Sequence, residues 1–239
     1  MVVEVCAINF QSALNAQDAG ADRIELCSEL AVGGITPSYG LLKKVTSELN
    51  IPVHVLIRPR SGDFNYSTSE FEVMKEDIML CKRLNCSGIV SGVMHKDMSV
   101  DISRTKELID LAKPMTFTFH RAFDWTPDPF VTAKKLATIG VTRILTSGQA
   151  CSAAKGLSML KQLKEAFDGT VLVAGGINQE NAVLFREHNF DELHLSASVF
   201  EKTIETPKIP LNSTKHFDET LQSVSSLSIL QQLISQIHA

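Results

Sequence analysis

Two segments of this 239-residue chain, Glu4-Val5-Cys6 and Glu25-Leu26-Cys27, each put a carboxylate two positions before a thiol. If both are strands, alternation sends Cys6 and Cys27 to one face. Neighbouring parallel strands lie ~4.8 Å apart, so thiols at their ends would converge. Two thiolates suit a soft monovalent ion such as Cu(I), which accepts few ligands, and His194 could supply a third donor. Two other readings fit the same pattern. The pair could form a disulfide, which a reducing compartment disfavours, or could simply pack, as buried free cysteines usually do. Cys81, Cys86 and Cys151 have no evident partner, and an odd count of five speaks against a disulfide framework.

Three further clusters carry chemistry. In Arg58-Pro59-Arg60, proline braces two arginines into an electropositive rim suited to a carboxylate or phosphate. The plainer reading is that Arg58 neutralises Glu4 or Glu25. In Phe119-His120-Arg121-Ala122-Phe123-Asp124, His120 is placed to move protons, with Glu4 or Glu25 orienting it. Arg121, Thr146, Ser147, Gly148, Gly175, Gly176 and Ser196 complete a candidate anion site, because small residues after the last strands of a barrel often hold phosphate. With Glu25 and His120 as the proton-transfer pair, these residues describe an enzyme acting on a small phosphorylated or carboxylated molecule.

The elements that must position these groups are legible as β-rich runs alternating with amphipathic helices. The runs are Val2–Cys6, Arg23–Cys27, Val53–Ile57, Gly88–Ser91, Met115–His120, Arg143–Thr146, Thr170–Ala174 and Glu192–Ser196. Eight such steps in ~250 residues predict a single (β/α)8 TIM-type barrel, α/β in class, over residues 1–239. Polar groups fall on one parity of five strands: Glu4 and Cys6; Arg23, Glu25 and Cys27; His54 and Arg58; Thr116, Thr118 and His120; Glu192, His194 and Ser196. A barrel interior is usually apolar, so these groups should face one another or a ligand. Helix starts are expected at Thr36-Pro37, at a capping box Ser69/Glu72 and at Asp128-Pro129. From residue 200 the tail loosens. Glu201–His216 reads as a long loop, and Leu221–Ile237 as a final helix that the serines between 223 and 228 could break.

Bulk properties narrow the partners. Formal charge is −4, with no basic stripe, which disfavours nucleic acid. No segment approaches ~18 uninterrupted apolar residues, and Met1–Phe10 does not read as an export signal. A cytoplasmic protein is expected, with the nucleus also open to a chain of this size.

Five motifs together resemble the CutC family between Val3 and about Ser198. They are Gly20–Cys27, Gly33-Gly34-Ile35-Thr36-Pro37-Ser38, Ile57–Arg60 with Gly62-Asp63-Phe64, Thr118–Asp124 and Leu145–Gly148. The resemblance implies a barrel linked to copper homeostasis, Cu(I) bound by Cys6 and Cys27, and a homo-oligomer.

Overall fold

Runs such as Val-Val-Glu-Val-Cys-Ala and Val-His-Val-Leu favour the extended chain because β-branched side chains pack well on a pleated surface. The computed structural model, which describes residues 1–211 and 216–238, builds all eight expected runs as strands. They are β1 (Val2–Ala7), β2 (Arg23–Leu26), β3 (Val53–Leu56), β4 (Gly88–Ser91), β5 (Thr116–Phe119), β6 (Arg143–Thr146), β7 (Thr170–Val173) and β8 (Glu192–Leu195). All pair in parallel and in sequence order, and β8 returns to β1 through Glu4↔His194, closing a TIM-type (β/α)8 barrel. Cys27, Ile57, His120, Ala174 and Ser196 fall one residue beyond their strands, where the chain leaves the sheet to form the mouth.

The connecting helices are α1 (Phe10–Asp18), α2 (Tyr39–Glu48), α3 (Thr68–Arg83), α4 (Ile102–Ala112), α5 (Pro129–Thr138), α6 (Leu157–Ala166) and α7 (Ala182–Glu187). Asp128 caps α5 ahead of Pro129 as expected. Two expected starts move. The cap of α2 is Ser38, whose hydroxyl accepts from the N–H of Leu41, while Thr36 instead accepts from the N–H of Arg58. The capping box of α3 is Ser67/Glu70, two residues early, because the sequence repeats Ser-x-x-Glu in overlapping frames.

Strand alternation divides the core in two. Val3, Val5, Ile24, Val55 and Ile89 face outward onto Leu42, Met74, Leu108, Leu136 and Phe185 of the helices. Inside the barrel a smaller apolar set, with Leu56, Val90, Leu145, Leu172 and Ala174, surrounds Cys6 and Cys27.

The tail differs from its expected form. Ser198–Lys202 (β9) and Leu221–Ser225 (β10) pair as an antiparallel ribbon, and the last helix, α8 (Leu227–His238), starts only after Ser226. Three hydrogen bonds tie β10 to α1: Asn9 Nδ2 to the Ser223 carbonyl, Asn15 Nδ2 to the Ser225 carbonyl, and the Ser225 N–H to Ser12 Oγ. These tertiary bonds hold the segment extended against its helical spacing. The polar stretch runs on from β9 as irregular chain, and residues 212–215 lie outside the described residues.

Candidate functional site

The lower barrel interior is a closed ionic network. Arg23 Nε donates to Glu4 Oε2, and its Nη2 donates to Glu192. Arg143 grips Glu192 through Nε at 2.8 Å and Nη2 at 3.1 Å. Glu4 also takes His194 Nδ1 at 2.8 Å, with His54 Nδ1 3.4 Å away. Gly88 makes room for the His54 ring, since a Cβ there would stand 2.8 Å from it. Burial alone would raise the Glu4 pKa. The hydrogen bond to His194 and the nearby His54 ring, with the charges of His194 and Arg23, hold it well below the usual carboxylate range. His194 moves up despite burial, because Glu25 and Glu4 favour its charged form.

Above this network lies the thiol pair. Cys6 and Cys27 end adjacent strands, are almost wholly buried, and place their Sγ atoms 3.4 Å apart as free thiols. Their mutual hydrogen bond, burial and nearby negative charge push the Cys6 thiol well above its ordinary value. The group beside them that could serve as a third donor is Glu25, paired in register with Cys6; one oxygen and both sulfurs lie within 4.8 Å of one another. His194, the expected third ligand, is instead committed to Glu4 and stands 3.7 Å from Glu25. Burial, opposed by His194 and reinforced by Glu4, raises the Glu25 pKa to about 7.

These groups line a cavity of about 260 Å³ at the mouth, shared with Arg58, Arg121, His120, Gly175, Gly176 and Ser196. Four of the expected anion binders lie elsewhere. Arg60 turns out of the mouth to Glu70 and Asp63, because the capping box of α3 offers it a carboxylate. Thr146 and Ser147 bond Asp124, and the Gly148 N–H donates to Thr146 Oγ1, so they back the wall rather than line it. Arg58 pairs with neither Glu4 nor Glu25. Its guanidinium donates to the carbonyls of Val32, Gly34 and Gly62. Nor does a carboxylate orient His120, whose Nδ1 accepts the N–H of Ala122 and whose ring packs on Phe64 at 4.7 Å.

Sequence reasoning missed Asp124, which organises Arg121, Thr146, Ser147 and Gln149. Its signal was the three-residue spacing from Arg121. It also missed that Cys81 and Cys86 are neighbours, the Cys86 N–H donating to the Cys81 carbonyl.

Gly34 is a structural limit on the site. Its φ is +83°, and a Cβ there would stand 2.7 Å from Leu56 Cδ2 and 3.6 Å from Cys27 Sγ. Gly34→Ala should therefore lose at least 1–2 kcal/mol, roughly the left-handed penalty alone. Urea unfolding checks this, and an unchanged midpoint would contradict it.

Residues 1–199 match the sequence pattern of the CutC family. The family protein CutC of Salmonella paratyphi A is 45% identical over 199 residues, 83% of this chain and 80% of that protein. A crystal structure of CutC from Streptococcus agalactiae, provisionally named a copper homeostasis protein, superposes with a TM-score of 0.78. It is 32% identical and covers 82% of this chain and 98% of its own. Thiamine phosphate pyrophosphorylase from Pyrococcus furiosus shares only the fold, with a TM-score of 0.60 at 12% identity over 99% of this chain and 95% of its own.

Proposed function

This chain belongs to the CutC family, and from that premise we propose that it takes up Cu(I) at the barrel mouth as part of copper homeostasis. The observation that carries the reading is the pair of reduced sulfurs 3.4 Å apart with a carboxylate beside them. The donor set fits the ion: soft thiolates select Cu(I), whereas hard divalent cations prefer sites built wholly of oxygen. The side chains Leu56, Val90, Leu145 and Leu172 form an apolar cluster with the two cysteines. Each thiol must give up its proton to ligate, so uptake releases protons and strengthens as pH rises.

Glu25 has two roles in this account. It stands as a third, weaker donor, and it can receive a thiol proton as the metal arrives. Reduced thiols require a reducing compartment, which accords with the cytoplasm. The homo-oligomer expected from the family is read directly by light scattering on the purified chain.

X-ray absorption at the copper edge tests the ligand set. The reading expects two sulfur scatterers and at most one light atom in the first shell. A shell of nitrogen and oxygen alone, or of three or more sulfurs, contradicts it.

A further inference from the structure

The barrel mouth holds polar groups that the thiol pair does not use. Arg58 is 5% exposed, and its guanidinium donates to carbonyl oxygens and lies over the Phe64 ring at 5.1 Å; among the described residues no carboxylate lies within ion-pair distance. Its Nε is buried with no hydrogen-bond partner among the described residues. A buried cation without a counter-charge is costly to maintain, and an anionic ligand would supply what is missing.

His120 sits beside it on the cavity wall, 4% exposed. Because Nδ1 accepts the Ala122 N–H, a neutral ring carries its hydrogen on Nε2. Burial, with the charge of Arg58, lowers its pKa to about 3 and so keeps the ring neutral. Nε2 is buried and unpartnered, leaving one donor free at the cavity. Gly92 makes this placement achievable, since a Cβ there would lie 2.9 Å from the ring.

A second set of donors gathers around Arg121. Asp124 takes its Nε at 2.8 Å and Ser147 takes its Nη2 at 2.7 Å, and its Nη1 makes no hydrogen bond among the described residues. Gly175 lies against it: a Cβ there would stand 3.7 Å from Arg121 Cζ. Gly175 and Gly176, with φ of +104° and +72°, both line the cavity. The N–H groups of Gly175, Gly176 and Ser196 donate to no group among the described residues. A guanidinium edge with several free amides outnumbers the two oxygens of a carboxylate and suits a phosphoryl group. The cavity, about 260 Å³, falls below the ~300–1,000 Å³ typical of drug-sized ligands, which restricts the rest of the molecule to a few carbons.

We propose that the barrel mouth binds a small phosphate monoester. Arg121 and the amides of Gly175, Gly176 and Ser196 take the phosphoryl group, and His120 Nε2 donates to an oxygen at the other end of the molecule. Arg58 supplies the charge that favours the anion from the same wall as His120. This site needs neither thiol, so it stands or falls separately from copper.

Trp125, the only tryptophan, reports on it. Its ring lies 5.0 Å from Phe64, which in turn lies 4.7 Å from His120. The experiment titrates the full chain with glycerol 3-phosphate, inorganic phosphate and malonate, following Trp125 emission and Tm. Glycerol 3-phosphate should saturate the emission change with a Kd below ~1 mM and raise Tm. Arg121→Gln, at a half-exposed position, should weaken binding at least about tenfold, and His120→Asn should weaken it as well. No saturable response to glycerol 3-phosphate at ~10 mM, a response to malonate alone, or an undiminished response in Arg121→Gln would each overturn the proposal.

Discussion

Arg23→Met is expected to lose about 3–5 kcal/mol of folding stability at pH 7, the cost of leaving buried charges unpaired. Arg23 bridges two buried carboxylates, Glu4 and Glu192, inside the barrel. Methionine fills similar space but leaves Glu4 to two histidines and Glu192 to Arg143. The same network sets the acid limit of the protein. Both carboxylates are held below their ordinary range in the folded chain. The unfolded chain therefore binds more protons near pH 4, so the stabilisation is complete above that range and disappears as pH falls through the folded values. Urea titrations from pH 3 to about 4.5, below the range in which Glu25 ionises, should show wild-type stability rising with pH and the variant rising less. A loss below ~1 kcal/mol would mean that the network contributes little beyond its packing.

The second large effect has the opposite sign. Glu25→Gln should stabilise the protein at alkaline pH. The folded pKa of Glu25 is about 7 against an ordinary 4.5, so the folded chain retains a proton that the unfolded chain has released. Stability consequently falls as pH rises from about 4.5 to 7, by about 3 kcal/mol once the group is fully ionised. Glutamine keeps the neutral shape without that cost. The variant should melt higher than wild type at pH 8 and no higher at pH 4. Equal melting at pH 8 would refute the raised pKa.

The barrel was readable because each strand carries its own signal. Val-Val-Glu-Val-Cys-Ala or Thr-Phe-Thr-Phe needs no neighbour to be extended, and a parity of polar residues announced an interior that is not apolar. The convergence of Cys6 with Cys27 followed from equal strand phase and adjacent strands. What sequence could not give was the partner of each inward group. Arg58 and Arg60 look alike in a string, yet one is buried among carbonyls while the other is captured by Glu70 of a helix cap. His194 and Glu25 were both within reach of the thiols, and only register decides that Glu25 is the neighbour. The Leu221–Ser225 strand escaped for a related reason: it pairs with Ser198–Lys202 and is tied to Asn9, Ser12 and Asn15, more than two hundred residues away.

The most direct measurement is an anaerobic Cu(I) titration of the reduced protein against a chelator of known affinity, run beside Cys6→Ser/Cys27→Ser. The account predicts about one tightly held ion per chain in the wild type and none in the variant. Equal binding by both proteins, or no binding by either, would contradict it.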